Sequence, residues 1–388
     1  MPASTSKPFT TATVTPTSAA TPAANHKVGL VLFNLGGPLS QNEVEPFLIN
    51  LFSDPDIFKI INAPVPDWME RFIQKGFAWL ITKARLKTAQ HNYSLIGGGS
   101  PQLKHTQAQA LALASEVAGR GIDATVYVAM RYWHPLSEEA LAQITADGVT
   151  HLIGVSLYPH FSLTTTGSSV KTFQAACKTH GWTGTLAQLA PVYNKPRYLK
   201  ALADTIHNGL KAHAHQWTCP TDQVTVLFSA HSLPTRFVED TRDPYPEQIW
   251  HSAQTVMKTH LPNQPWTLAY QSKVGPIPWL EPSTEQMLST LARSGVQNIL
   301  VVPISFVSEH IETLCEIDIE YKAVADALGI EQFHRAQTLL THPDYIGVLA
   351  DGVADKMKLL GLLPGHASHP HCCPSNPAPS RHAEPSPL

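Results

Sequence analysis

The stretch Val224-Thr225-Val226-Leu227-Phe228-Ser229-Ala230-His231-Ser232-Leu233-Pro234 decides the fold. Its first seven residues are mostly apolar, three of them are β-branched, and the run is bounded by a Ser-Leu-Pro turn. That length suits one strand and is short for a helix. The strand has no regular polar alternation, so it is buried on both faces, as in a parallel sheet covered by helices. The run stops on an imidazole.

Comparable runs recur outward from it, at Val28–Asn34, Ala124–Arg131, His151–Tyr158, Leu186–Val192, Leu268–Ser272 and Asn298–Phe306. Helical patterns separate several of them, among them Thr106–Arg120, Ser137–Asp147, Pro196–Ala212, Pro246–His260 and Ser283–Ser294. A last one, Pro343–Leu359, opens on a proline suited to the first helical position. Strand and helix in alternation predict an α/β protein: two Rossmann-like lobes, each a four-stranded parallel sheet flanked by helices. The expected boundaries are 27–195 and 196–363, with the last helix packing back on the first lobe.

The ends read differently. Residues 1–26 are almost all Thr, Ala, Pro and Ser, with Lys7 as the only charge and no Arg. Residues 364–388 are Pro-rich and carry His366, His369, His371, His382 and the pair Cys372-Cys373. Neither segment holds enough apolar surface to offset its ordering entropy, so both read as disordered tails. A His/Cys tract can also bind metal.

Lys and Arg number 27 against 30 Asp and Glu, a net charge of −3, which excludes the strongly basic footprint of a nucleic-acid binder. No run of 18 apolar residues exists, so no transmembrane helix is expected. Five cysteines, an odd number without a secretory signal, argue against a disulfide framework. The expected location is cytoplasmic, with peripheral contact to the inner face of a membrane left open.

In open α/β sheets ligands bind beyond the carboxyl ends of the strands. Unusual residues fall there in both lobes: Asn34-Leu35-Gly36-Gly37, Arg131-Tyr132-Trp133-His134, Tyr158-Pro159-His160, His231-Ser232 and Ser308-Glu309-His310-Ile311-Glu312. That edge is the predicted cleft. Gly36-Gly37 lacks the dinucleotide spacing, and Gly97-Gly98-Gly99-Ser100 follows a helical basic stretch and lacks the Lys of a P-loop. No GxSxG elbow is present either. A lone histidine at a strand end is more often structural, but His231 faces the run Glu309-His310-Ile311-Glu312 across the expected cleft. An imidazole and a carboxylate together can bind a divalent transition metal or move protons.

Glu309, Glu312, Glu316 and Glu320 follow at spacings of three, four and four, which line one face of an α-helix, with Ile311, Leu314 and Tyr321 opposite. Two readings stand: a solvated acidic face, or a carboxylate ladder carrying protons out or metal in. The second makes Glu309, His310, Glu316 and Glu320 relay candidates.

Six separated motifs then resemble one family, ferrochelatase, a lyase that inserts ferrous iron into a porphyrin in heme biosynthesis. They are Leu32-Phe33-Asn34-Leu35-Gly36-Gly37-Pro38, Tyr93 to Pro101, Met130 to Pro135, Leu227 to Pro234, Gln271-Ser272-Lys273-Val274-Gly275-Pro276 and Pro303 to Leu314, in the family's order. The resemblance covers about residues 27–345. It implies a chelatase-like pair of lobes around a porphyrin cleft, with His231 and Glu312 as the central pair for metal and pyrrole protons. It places Arg85, Tyr93, Ser100, Arg131, Tyr132 and Tyr158 around the macrocycle and its propionates. Leu35, Trp279 and Phe306 are candidates to press on the ring faces, and equally to pack the core.

The expected partners are protoporphyrin IX and Fe2+, the iron being a substrate; oligomeric state is left open. No resident cofactor is required. The [2Fe–2S] cluster of some family members, held in the animal pattern by one interior and three tail cysteines, is not expected. Leu163 stands at the interior position, the tail offers only Cys372 and Cys373, and such clusters generally need four cysteines. The Gln271–Leu280 stretch resembles the protoporphyrin-using branch. The alternatives are a coproporphyrin III ferrochelatase, another tetrapyrrole chelatase, or a non-enzymatic heme or metal carrier.

Overall fold

The computed structural model describes residues 26–55, 67–273, 275 and 277–363. Residues 1–25 and the 364–388 segment, with Cys372 and Cys373, lie outside the described residues, as do Val274 and Pro276 of the sixth-strand motif.

Among the described residues eight strands form two four-stranded sheets, and all pairings between these strands are parallel. The first holds β1 (Val28–Asn34), β2 (Thr125–Met130), β3 (His151–Ser156) and β4 (Thr185–Gln188) in the order β2-β1-β3-β4. The second repeats that order with β5 (Thr225–His231), β6 (Trp266–Gln271), β7 (Asn298–Pro303) and β8 (Gln332–Arg335) as β6-β5-β7-β8. The central strands β1 and β7 are buried throughout, and β5 is buried up to its last residue, His231. Unbroken apolar runs thus became strands covered on both faces.

Several predicted strands end early. β4 stops at Gln188 rather than Val192, three residues before Pro191, which has no N–H to donate. β3 stops at Ser156 and β7 at Pro303, which frees the residues beyond them to form cleft loops. β8 has one buried apolar residue, Phe333, too little for a pattern.

In chain order the α-helices are α1 (Val44–Phe52), α2 (Asp67–Leu95), α3 (Gln102–Gly119), α4 (Ser137–Ala146), α5 (Ser168–Thr179), α6 (Pro196–Ala212), α7 (Thr235–Thr241), α8 (Tyr245–His260), α9 (Thr284–Arg293), α10 (Lys322–Ala327) and α11 (Pro343–Leu359). The long α2 exposes Phe72, Trp79 and Leu80. Among the described residues no helix is long and apolar enough to cross a membrane.

The largest core does not respect the lobe boundary. It joins Leu30 and Leu113 of the first lobe to Ile206, Phe228 and Val302 of the second, and to Ile346, Leu349 and Val353 of α11. α11 packs on both α3 and α6, and its Asp351 pairs with Arg120 at the end of α3. Two smaller cores fill the outer faces of the sheets, and a fourth lies beneath α1 and α2.

Candidate active site

A cleft of about 610 Å³ opens between the lobes at the carboxyl ends of the strands. Its floor comes from β1 and β3 on one side and from β5 and the segment after β7 on the other.

His231 ends β5. The register sets it beside Gln271, the last residue of β6. Its Nδ1 lies 2.6 Å from the Ser232 carbonyl, which can only accept, so the Nδ1 proton is fixed there and Nε2 is left facing the cleft. Nε2 stands 3.5 Å from Glu312 Oε1. The His231 backbone is pinned as well: its N–H donates to Ser305 Oγ, and the Tyr245 hydroxyl donates to its carbonyl.

Glu312 begins a ten-residue π-helix, Glu312–Tyr321. Its other oxygen, Oε2, lies 3.2 Å from Nε2 of the buried His310. One carboxylate is therefore shared by two imidazoles. Burial opposes charge on both partners. For His231 the Glu312 carboxylate outweighs burial and raises its pKa from 6.5 to about 9, assisted by the Ser232 carbonyl and Glu316. For Glu312 the two histidines outweigh burial and hold its carboxyl well below the usual range. The pair is an ion pair at neutral pH, with side chains 35% and 23% exposed toward the cleft.

The remaining acidic residues separate. Glu316 is caged: it accepts from Gln271 Nε2, from both the amide and hydroxyl of Ser272, and from the Tyr321 hydroxyl. Glu320 lies at the cleft rim, where Asn92 of α2 reaches across from the other lobe to donate to it at 2.9 Å. Glu309 does not belong to the ladder. It precedes the helix and turns away from the cleft, pairing with Arg335 at 2.9 Å and accepting from the Thr338 amide and hydroxyl. Tyr321 also departs from expectation, because it meets Glu316 rather than lying opposite. The α-helical spacing behind that expectation does not hold here. In a π-turn residues five apart align, and Glu316–Tyr321 and Cys315–Glu320 are both such pairs.

The structure brings Leu35, Arg85, Tyr93, Ser100, Tyr158, Trp279 and Phe306 to the cleft wall. Arg85 and Tyr93 project from α2, one exposed and one buried. Burial, and then Glu312, push the Tyr93 hydroxyl far up, so it remains a neutral donor. Phe306 stacks edge-on against His310 at 4.4 Å between ring centroids. Arg131 and Tyr132 do not reach the cleft wall. Both turn onto Asp54 of the α1 end, at 2.7 and 2.6 Å, and Arg131 also donates to Ser168. A guanidinium beside a buried carboxylate satisfies that carboxylate first.

Gln271, Ser272 and Asp54 were missed as site and support residues. Gln271 and Ser272 fall within a recognised motif, but Asp54 has no neighbouring pattern that marks it.

The family profile described as Ferrochelatase matches residues 27–357. The chain is 45% identical over 334 residues to the ferrochelatase of Synechocystis sp., covering 85% of this chain and 83% of that one. It is 46% identical over 340 residues to the ferrochelatase of Nostoc punctiforme, covering 86% and 83%. Among solved structures it resembles SirB from Bacillus subtilis with Fe3+, with a TM-score of 0.45, 12% identity, and coverage of 63% of this chain and 88% of that one. The profile spans both sheets and every strand end that builds the cleft, and the chain therefore belongs to the ferrochelatase family: it is an enzyme, a metal chelatase of the lyase class.

Proposed function

We propose that this enzyme inserts Fe2+ into protoporphyrin IX to form protoheme, with His231 and Glu312 as the central pair. The observation that carries the reading is one carboxylate shared by two imidazoles at the wall of an otherwise largely apolar cleft.

Metallation must remove two pyrrole protons while a metal enters the ring. Glu312 supplies a charged oxygen ligand for the incoming ion. His231, with its Nδ1 proton committed to the Ser232 carbonyl, presents Nε2 alone to the substrate. Once iron takes over the charge of Glu312, the imidazolium loses the carboxylate that holds its Nε2 proton and releases that proton through the open cleft to solvent. The neutral Nε2 then accepts the two pyrrole protons one at a time and passes each to solvent. Leu35, Phe306 and Trp279 press on the ring faces, where binding energy bends the macrocycle and exposes a nitrogen lone pair. Arg85, Tyr93, Ser100 and Tyr158 hold its edges. Arg131 and Tyr132 act at one remove, by fixing Asp54 and the loop that carries it.

No resident cofactor enters this reading, and iron is a substrate. The described cysteines, Cys177, Cys219 and Cys315, sit on separate elements as free thiols. The test is ferrous iron insertion into protoporphyrin IX and coproporphyrin III, followed by absorbance. The expected result is faster turnover on protoporphyrin IX. Preference for coproporphyrin III would move the enzyme to the other branch, and tight heme retention without turnover would make it a carrier.

A further inference from the structure

The π-helix raises a question that the central pair leaves open. A run of ten π-helical residues is rare, because π-turns usually occur singly within α-helices, frequently at functional sites. Something must hold this one.

The cage around Glu316 is the only place among the described residues where one carboxylate of the π-helix takes four hydrogen bonds. Three come from the end of β6: Gln271 Nε2 at 3.0 Å, the Ser272 amide at 2.8 Å and the Ser272 hydroxyl. The fourth comes from Tyr321, five residues on, at 2.7 Å. Ser272 adopts φ = 67°, a left-handed backbone that non-glycine residues rarely take. That conformation aims both its amide and its hydroxyl at the same carboxylate. Strain of this kind persists only where the surroundings over-determine it.

Gln271 ties the cage to the central pair. It is fully buried, and its side-chain oxygen accepts from Ser229 of β5 at 2.6 Å. Its backbone lies in register with His231, and its carbonyl accepts from the Ser232 amide. Its side-chain nitrogen also lies 3.3 Å from the backbone carbonyl of Glu312. One residue thus touches the strand that carries His231 and the turn that carries Glu312.

We infer that Gln271, Ser272 and Tyr321 are positioning residues: by gripping Glu316 they hold the π-register of the helix and so set the distance between Glu312 and His231. Glu316 is a fixed anchor within this clamp rather than a moving carrier. The inference rests on the proposed role of the His231–Glu312 pair. If the clamp is loosened, the helix relaxes toward the commoner α-turn, in which residues four rather than five apart align, and Glu312 rotates relative to Glu316.

The test uses Tyr321→Phe, which keeps the ring and removes one donor, and Ser272→Gly, which relaxes the left-handed backbone and removes the hydroxyl while keeping the amide. Neither alters His231, Glu312 or Glu316. Misplacing a reacting group by about 1 Å costs on the order of a hundredfold, so kcat should fall at least about tenfold in each variant. The porphyrin KM should stay within about twofold, because ring binding uses other residues. Amide hydrogen exchange should rise in residues 312–321 and stay unchanged in the rest of the second lobe. Wild-type kcat in both variants overturns the inference. So does a loss accompanied by faster exchange throughout the lobe, which would make the clamp merely structural. If the unmutated enzyme inserts iron into neither porphyrin, the functional reading fails instead. The exchange arm then judges the clamp alone, and unchanged exchange in 312–321 overturns it.

Discussion

Glu309 and Glu312 stand three residues apart and both are held charged, yet one is buried, the other borders the cleft, and they belong to different regions of the molecule. Glu309 sits in the turn after β7 and is neutralised by Arg335, a cation that does not titrate in proteins, with Thr338 completing its shell. Arg335 is in turn held bidentately by Asp318. Burial raises the Glu309 pKa, but Arg335 together with hydrogen bonds from Thr338 and Thr313 outweighs it, and the net shift is downward. Glu312 is also held charged, by two imidazoles and at the edge of an open cleft. A carboxylate tied to a permanent cation has nothing left to exchange. One tied to titratable partners can give up a proton contact and take a metal. The same acidic run therefore supplies a structural ion pair and a reactive one.

The widest separation should come from neutralising each in turn. Glu312→Gln keeps the volume and removes the charge, and turnover should fall by at least about a hundredfold, as for loss of a positioned acid–base group. Porphyrin binding, read by fluorescence quenching, should persist. Equal residual activity in Glu312→Gln and wild type would erase the contrast and move metal handling to His310.

Glu309→Gln should do the reverse. It removes one partner of a buried pair, a change that typically costs about 3–5 kcal/mol. Asp318 still grips Arg335, so the lower end is expected, read as a lowered urea midpoint. The kcat of the folded fraction should stay within about twofold. A large kcat loss without a stability loss would place Glu309 in the chemistry.

A third measurement separates the two by pH. The folded protein holds a proton on His231 up to about 9, whereas the unfolded chain releases it near 6.5. The stability from that proton is full below pH 6.5 and is lost as pH rises through 9. Thermal midpoints across this range should fall more steeply in wild type than in Glu312→Gln, and Glu309→Gln should follow the wild-type slope. Parallel slopes in all three would detach the His231 proton from Glu312.

The smallest effect is expected at the rim. Glu320→Gln keeps an acceptor for Asn92 and lies two turns from the central pair, so kcat should change only a few-fold, about threefold at most. A loss matching that of Glu312→Gln would extend the reactive region along the whole helix.

Much of this was legible beforehand, for identifiable reasons. Runs such as Val224–Ala230 and Asn298–Val302 are buried on both faces, so hydrophobicity alone marked them as strands. His231 and Glu312 stood out because both follow strand ends at the edge where ligands bind in this fold and both fall within ferrochelatase-like motifs. Glu309 and the Arg131–Tyr132 pair were misplaced because their partners, Arg335 and Asp54, lie far away in sequence, and Tyr321 because its partner Glu316 is five residues back, a pair that α-helical spacing does not bring together. The π-register was equally invisible. A spacing of three, four and four fits an α-helix well, and the contacts that mark the wider turn, Glu316–Tyr321 and Cys315–Glu320, are not visible in that spacing.

The return of α11 has a consequence for synthesis. Leu189 of the first lobe packs so closely against this helix that a methyl group at Gly352 would lie 3.3 Å from it. Leu113 and Val117 of α3 belong to the same core as Leu349 and Val353. The first lobe is therefore made early but completed last. As the chain leaves the ribosome, its α3 face must wait for α11 through about 220 further residues, roughly 11–45 seconds at typical elongation rates. Throughout that interval the nascent enzyme presents the apolar surface that α11 covers in the finished fold.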